Sequence, residues 1–279
     1  MKRIFFALTL LLLSIVIGLM ASKQCTLRCH RAPMASSPIL RTADTPSLIP
    51  TAVESEPLPS YPWENPGRGK ISPITKDYFR CRGSDLSPPV PVVVDGKVIE
   101  NIFDCHGASS HSLPIRHEKE FIYPILIELM NEIQSATGKP VIITSGHRCP
   151  THNRYVDPDA KTMASKHQIG AEVAFYVAGL ENNPDVVLNT IFAFYRSTPR
   201  YASEGKEYMQ FERYDKETDV STKPWMNKEI LVKLFLPHEG RNADNRHPFP
   251  YISIQVRFDR ETNMRVAYSP ADAQNFLRR

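Results

Sequence analysis

One strand–loop–strand segment in the middle of the chain constrains the fold most strongly. The apolar run over 141–144 predicts a strand, which ends directly before a turn that carries His147 and Arg148. A long polar loop then leads to His167, and a second apolar strand is predicted over 171–177. Strand ends that hold polar groups over a core are common positions for binding sites. The segment therefore predicts a site built between two strands.

Hydrophobic patterning around this segment predicts an α+β domain. The pattern indicates helices from Glu118 or Pro124 to Ala136, from Asp185 to Arg196, and a short one from Pro270. It also indicates an Asp-Gly hairpin over 92–99 and strands over 229–236, 251–258 and 264–268. We expect an antiparallel sheet with helices packed on one face.

Residues 200–228 form an unusual insertion, rich in charged and aromatic side chains. One interpretation is a lid or partner surface over the predicted site. The other, which we favour, is a surface excursion that packs its own aromatic side chains, because exposed loops tolerate insertions.

The central segment also carries polar residues at defined spacings. They form a Ser-Gly-x-Arg turn, a His-Asn pair and a Ser-x-His-x-x-Gly sequence: Ser145, Gly146, Arg148, His152, Asn153, Ser165, His167 and Gly170. This pattern resembles the D-Ala-D-Ala carboxypeptidases and hedgehog-like zinc peptidases of bacterial cell walls, and the resemblance covers roughly residues 75–270. It implies the fold of that family, and it implies that Arg148 faces a peptide carboxylate. The alternative for Arg148 is a salt bridge with Asp157, Asp159 or Glu172.

Two positions depart from the zinc ligands that the resemblance implies. In that family, three side chains bind the metal. They are a His that corresponds to His167, an Asp seven residues later and a His on a late strand. The position seven after His167 is Ala174, and Ser253 and Gln255 stand where the late His and Asp are expected. A catalytic zinc needs three protein ligands and one open position. We therefore expect a degenerate metal site.

Other side chains are candidates for a rebuilt metal site. Alternation along the strand puts Glu172 on the same face as Ala174, so His167 with Glu172 or His147 would be the ligands. Further candidates are His152, His238 and His247. The alternative, which we favour, is that no metal cofactor binds and that His167 lines a substrate groove. We predict that this groove consists of Ser145, His147, Arg148, Asn153, Ser165, His167, Glu172, Ser253 and Gln255.

The N-terminal part of the chain predicts export. Lys2 and Arg3 precede an apolar run, which indicates a signal peptide or an N-terminal membrane anchor over 1–22. Residues 23–74 are rich in Pro, Ser and Thr and predict a disordered spacer. The folded domain is expected over 75–279, in the periplasm or elsewhere outside the cytoplasm.

The cysteines suit an oxidising compartment. Cys81, Cys105 and Cys149 lie in the predicted domain, and we expect a disulfide from Cys149 to Cys81 or Cys105, with the connectivity open. A nucleophilic Cys149 beside His147 and His152 is the less favoured alternative.

A small group of polar residues surrounds Cys105. Asp104, His106 and His111 accompany it, but their spacing is not that of paired metal ligands. We expect these side chains to be ordinary polar loop residues.

Charge argues against nucleic acid as a partner, because the net charge of +4 is scattered.

We expect an exported envelope protein whose peptidase-like domain binds peptidoglycan peptides or an envelope protein without catalysis. One alternative is an active zinc carboxypeptidase or endopeptidase with substituted ligands. Another is a structural or interaction protein that depends on the insertion and the spacer.

Overall fold

The computed structural model describes residues 71–158 and 163–278. The predicted signal or anchor segment, nearly all of the predicted spacer, and Asp159 lie outside these residues. Among the described residues, no helix combines the length and apolar character that a bilayer crossing requires.

The described residues form short helices and strands that alternate along the chain. The helices are α1 (Pro124–Thr137), α2 (Pro150–Val156), α3 (Pro184–Ser197), α4 (Pro199–Glu204), α5 (Lys206–Met209) and α6 (Pro270–Ala273). The first strands are β1 (Val90–Val94), β2 (Lys97–Ile102), β3 (His111–Arg116), β4 (Lys119–Glu120), β5 (Val141–Ser145) and β6 (Glu172–Val177). The later strands are β7 (Glu212–Arg213), β8 (Trp225–Met226), β9 (Ile230–Phe235), β10 (Tyr251–Val256), β11 (Phe258–Asp259), β12 (Met264–Arg265) and β13 (Phe276–Arg278).

A six-stranded antiparallel sheet organises the domain, in the order β5-β6-β10-β9-β8-β7. Helices α1 and α3 pack against each other and against its central strands. Because side chains alternate along a strand, every second residue of β6 and β10 points to these helices and joins the core. These core residues are Val173, Phe175, Val177, Ile252, Ile254 and Val256. The predicted α+β class is confirmed.

The intervening residues of β6 and β10 project from the opposite face of the sheet. They include Glu172 and Ala174 on β6, and Ser253 and Gln255 on β10. Ser253 pairs directly with Ala174, and Gln255 pairs with Glu172. The register of the two strands therefore gathers these four side chains on one surface.

Several predicted elements are confirmed with shifted ends. The hairpin forms as β1 and β2, and its turn places Asp95 and Gly96 at positive φ, as a tight hairpin turn requires. Helix α1 begins at Pro124 and not at Glu118, because Glu118 lies in the β3–β4 turn with a φ of 62°. Helices α3 and α6 form close to their predicted positions.

Three expectations about the sheet and its connections are wrong. The strand predicted over 264–268 is the two-residue β12, which pairs with β11 outside the six-stranded sheet. The long loop after β5 contains helix α2, which begins at Pro150 and is capped by the Cys149 side chain. A separate sheet of β13, β3 and β4 was not predicted, because β4 and β13 have only two and three residues and β3 contains Pro114, which is unusual within a strand.

The insertion is part of the folded core and is not a surface excursion. Tyr201 and Tyr208 are buried in the main core cluster, and Phe211 and Trp225 pack against it. Strands β7 and β8 form the edge of the six-stranded sheet. The prediction that these aromatic side chains pack only on each other is wrong.

Candidate functional site

A polar cavity of about 530 Å³ lies on the face of the sheet that carries Glu172 and Ser253. The structure brings most of the predicted groove residues to its wall: Arg148, Asn153, Ser165, His167, Glu172, Ser253 and Gln255. Ser145 and His147 are buried beside it and do not line it. Residues 145–148 reach this position because Gly146 has no side chain. A Cβ at that position would lie 2.5 Å from the backbone of Phe79.

His167 is held with its Nε2 atom towards Glu172. It lies on a 3₁₀ turn whose N-cap, Ser165, accepts a hydrogen bond from the His167 amide. His167 Nδ1 lies 2.6 Å from the Gly146 carbonyl oxygen, which only accepts hydrogen bonds, so Nδ1 carries the proton. The lone pair of Nε2 then faces Glu172 Oε1 at 3.7 Å.

Burial and the neighbouring side chains set the charge states of His167 and Glu172. Burial lowers the pKa of His167 to about 4. Burial alone would raise the pKa of Glu172, but His167, Lys233 and hydrogen bonds from Gln255 and Ser253 lower it to about 2. At neutral pH the site therefore contains a carboxylate beside a neutral imidazole.

The Glu172 carboxylate is bound by donors from strand β10. Ser253 Oγ donates to Glu172 Oε1 over 2.7 Å, and Gln255 Nε2 donates to the same oxygen over 3.0 Å. These side chains stand where the resemblance implied metal ligands. Oε1 is the carboxylate oxygen that faces His167. The two hydrogen bonds therefore already engage the oxygen atom that a metal ion at His167 would need as a ligand.

The residues at the cavity do not fit a catalytic zinc ion. His167 has the hydrogen bond to a carbonyl that is usual for a metal-bound imidazole. However, in the described part of the chain only Glu172 accompanies it, and three protein ligands are needed. Two groups among the described residues bring together three or more His, Cys, Asp or Glu ligand atoms, and neither includes His167 or Glu172. They are Cys81, Cys105, His111 and Cys149, and Asp104, Cys105 and His152.

Three other predicted metal ligands do not line the cavity. His147 is buried with neither ring nitrogen hydrogen-bonded, and burial lowers its pKa to about 3. His238 is exposed. His247 packs against Tyr176, with the ring centroids 4.9 Å apart. None of these three histidines lines the cavity.

Arg148 is fixed by an acidic residue that the sequence did not indicate. Its Nε atom lies 2.8 Å from Asp244 Oδ2 and 2.8 Å from Ser145 Oγ. The expected salt bridge with Asp157 or Glu172 is not the one that forms among the described residues. Both bonds use Nε, and among the described residues no hydrogen bond engages the two terminal amino groups of the guanidinium, which lines the cavity.

His152 lies between two carboxylates behind this arginine. Its Nδ1 lies 2.6 Å from Asp104 Oδ1, and its Nε2 lies 3.0 Å from Asp244 Oδ1. Burial alone would lower the pKa of His152, but the two carboxylates raise it to about 9. Asp244 therefore joins a protonated His152 at the start of α2 to Arg148 on the preceding turn.

Two lysines add positive charge to the cavity wall. Lys233 on β9 binds both carboxylate oxygens of Asp219, each at 3.0 Å. Asp219 belongs to the insertion and also lines the cavity. Lys166 donates to the Val256 carbonyl, and burial lowers its pKa to about 8. The cavity thus has a polar wall of mixed charge.

The three cysteines of the domain are free thiols, so the predicted disulfide is absent from this structure. They lie together and are joined by His111. His111 is therefore not an ordinary loop residue, contrary to the sequence prediction. Cys149 is 2% exposed, so this cysteine lacks the access that nucleophilic attack on a substrate needs, and His152 is already engaged by two carboxylates.

Comparison with known proteins places the central segment in a family. Residues 103–190 match the model of the family Peptidase M15. This range begins before β3, contains the turn at Arg148 and the pair of His167 and Glu172, and ends within α3. No curated protein and no solved structure matches the chain significantly. Over residues 103–190, the chain is therefore similar to the family Peptidase M15.

Proposed function

We propose that this protein is exported to the cell envelope, where the cavity beside His167 binds peptidoglycan stem peptides without hydrolysing them. The observation that carries the proposal is the pair of hydrogen bonds from Ser253 and Gln255 to Glu172 Oε1. They satisfy a carboxylate at the place where a zinc peptidase would direct its ligands to the metal.

The loss of hydrolysis follows from the ligand set. Zinc polarises a carbonyl group and activates water in metallopeptidases. Here His167 and Glu172 are the only pair of suitable ligands at this wall of the cavity among the described residues, and Ala174 offers a methyl group. A bound peptide would therefore meet no metal-activated water.

The capacity to bind a peptide rests on what the cavity retains. Its volume of about 530 Å³ lies in the range of small-molecule sites, which is about 300–1,000 Å³. Arg148 offers the paired amino groups that match a carboxylate, and Asn153 offers an amide on the same wall. A peptide with a free C-terminal carboxylate is the ligand that suits this wall.

The envelope assignment rests on the N-terminal sequence. A positively charged start followed by an apolar run is typical of export signals and N-terminal anchors. The proline-rich segment that follows would separate the domain from the membrane. A peptidoglycan stem peptide with a free C-terminal carboxylate would be a suitable ligand in that compartment.

A calorimetric titration of the full-length chain tests this proposal. We expect binding of a synthetic stem pentapeptide that ends in D-Ala-D-Ala, and at least about tenfold weaker binding of its C-terminal amide. Arg148→Lys should weaken binding by a similar factor, because Lys keeps the charge but loses the fork. Arg154→Lys is the matched control, since Arg154 pairs with Glu100 outside the cavity.

Peptide recovered after the titration should be intact when analysed by mass spectrometry. Equal binding of acid and amide would contradict the carboxylate role of Arg148. Chelator-sensitive release of D-Ala would overturn the proposal in favour of an active zinc carboxypeptidase.

A further inference from the structure

A second cluster of chemically reactive side chains lies apart from the cavity. It consists of three sulfur atoms and one imidazole nitrogen, all within 4.8 Å of one another: Cys81 Sγ, Cys105 Sγ, Cys149 Sγ and a ring nitrogen of His111. The four residues are between 2% and 7% exposed. None of them lines the cavity beside His167.

The distances within the cluster are those of a tetrahedral metal site. Zinc–sulfur bonds of about 2.3 Å place two thiolates about 3.8 Å apart at tetrahedral angles, and a zinc–imidazole bond places nitrogen and sulfur about 3.5 Å apart. Cys81 Sγ lies 3.7 Å from Cys105 Sγ, and Cys105 Sγ lies 3.5 Å from His111 Nε2. A disulfide would need a sulfur–sulfur distance of about 2.05 Å.

The surroundings of the cluster are those of bound thiolates and a bound imidazole. The Gly107 amide donates to Cys105 Sγ over 3.3 Å, and the His152 amide donates to Cys149 Sγ over 3.3 Å. His111 Nδ1 lies 3.2 Å from the Ser112 carbonyl oxygen, so Nδ1 carries the proton and Nε2 is directed at the sulfurs. A hydrogen bond from the other ring nitrogen to a carbonyl oxygen is common for zinc-bound histidine.

The loops that supply these ligands approach closely and leave little space for water. A Cβ on Gly83 would lie 2.2 Å from Cys105 Sγ. Phe276 packs on the cysteines and contacts the ring of His111, with the centroids 5.3 Å apart. With four protein ligands and an apolar cover, the cluster has no open position for substrate.

We propose that these residues form a closed Cys₃His zinc site with a structural role, with ligands Cys81, Cys105, His111 and Cys149. Thiolate and imidazole ligands in a tetrahedral arrangement favour zinc. Binding replaces the thiol protons by the metal and involves no change of oxidation state.

The site would tie the start of the domain to the turn that carries Arg148. Cys81 lies before β1, Cys105 and His111 flank the entry to β3, and Cys149 directly follows Arg148. Few hydrogen-bonded strands connect these segments, since β1 and β2 form a separate hairpin. Zinc would therefore stabilise the part of the fold that the six-stranded sheet does not hold.

Elemental analysis of the purified full-length chain is the first test. We expect about one zinc ion per chain. We expect the same content in the variant Cys25→Ser/Cys29→Ser, which removes the cysteines outside the described residues. His111→Ala and Cys81→Ser should lose the zinc. His106→Ala is the matched control, because His106 lies on the same loop but is exposed and pairs with Asp85.

Two measurements on the protein with only Cys25 and Cys29 replaced do not depend on whether a ligand variant folds. Exchange of zinc for cobalt should give the charge-transfer band of cobalt–thiolate bonds in the near ultraviolet. The remaining three cysteines should resist alkylation in the native state and react after denaturation with a chelator.

The opposite results would overturn the proposal. They are a mass lower by the two hydrogens of a disulfide among these cysteines, a folded chain without zinc, or zinc retained in folded His111→Ala and Cys81→Ser. None of these results bears on peptide binding at the cavity.

Discussion

Ser253 Oγ donates a hydrogen bond to Glu172 Oε1 over 2.7 Å, across the paired strands β10 and β6. The bond gives a buried carboxylate a hydrogen-bond donor from strand β10. In the peptidases that this sequence resembles, we expect a metal ligand on the corresponding strand. Gln255, two residues further along β10, donates to the same oxygen over 3.0 Å. Together with His167 and Lys233, these two donors lower the pKa of the buried Glu172 carboxyl and keep it charged.

Removal of the Ser253 hydroxyl should destabilise the domain. Ser253→Ala leaves a buried carboxylate with one donor fewer, and we expect a loss of about 1–3 kcal/mol in the free energy of unfolding by urea titration. Ser203→Ala is the control, since that hydroxyl is exposed and bonds a local carbonyl, and it should stay within about 0.5 kcal/mol. In the background of Glu172→Gln, Ser253→Ala should cost less. If Ser253→Ala costs the same free energy of unfolding in both backgrounds, the result would contradict a charge-assisted bond between Ser253 and Glu172.

Restoring the two missing ligands should create a second zinc site. Positions 174 and 253 are directly paired, so their side chains lie next to each other on the cavity face. We expect Ala174→Asp/Ser253→His to bind about one zinc ion more than the starting protein, because His167 then has two partners. Adding His167→Ala should abolish the gain. A folded double variant with no extra zinc would show that the strands do not place these residues as the family does.

Stability should fall as the pH rises through the pKa of His152. The folded state raises this pKa to about 9, and the ordinary value is about 6.5. The stabilising interaction with Asp104 and Asp244 is thus fully present below pH about 6.5 and is lost towards and above pH about 9. We expect a loss on the order of 2 kcal/mol over this interval.

The control for this pH effect is His152→Gln, which keeps hydrogen-bonding groups but cannot titrate. Urea unfolding of the two proteins at a series of pH values gives the comparison. If the variant loses as much stability between neutral pH and pH about 9 as the wild type, His152 is not the responsible group.

Shortening the buried aromatic side chains of the insertion should unfold the domain. Tyr201 is fully buried, and its hydroxyl donates to Glu229 Oε2 over 2.8 Å. We expect Tyr201→Ala to cost at least about 3 kcal/mol in thermal or urea unfolding. Lys216→Ala, on an exposed residue of the same insertion, should have little effect. A stable Tyr201→Ala variant would favour the earlier interpretation of a separate surface excursion.

Strands β5, β6, β9 and β10 of the central sheet were predicted because their pattern is local, whereas the two-residue edge strands β7 and β8 were not. Alternation along β6 placed Glu172 and Ala174 on one face, and the structure shows both at the cavity wall. Helix α2 was not predicted, since it has only seven residues and opens with a proline that is also common in loops.

Partners that are distant in sequence could not be predicted. Asp244 binds Arg148 across 96 positions and lies in a loop without a recognisable motif. His111 and the three cysteines come from three separate stretches of the chain, and their spacing does not resemble that of paired metal ligands. The number of cysteines suggested a disulfide, but the fold brings a histidine to them instead.

We propose that the cavity beside His167 is a peptidase-like cleft that does not hold a catalytic metal ion. Zinc content of the full-length wild type and of His167→Ala, after dialysis against zinc and removal of loose metal, tests it most directly. We expect the same zinc content in both proteins, whether or not the cysteine cluster binds zinc. Zinc that is stoichiometric in the wild type and decreases by about one ion per chain in His167→Ala would contradict it.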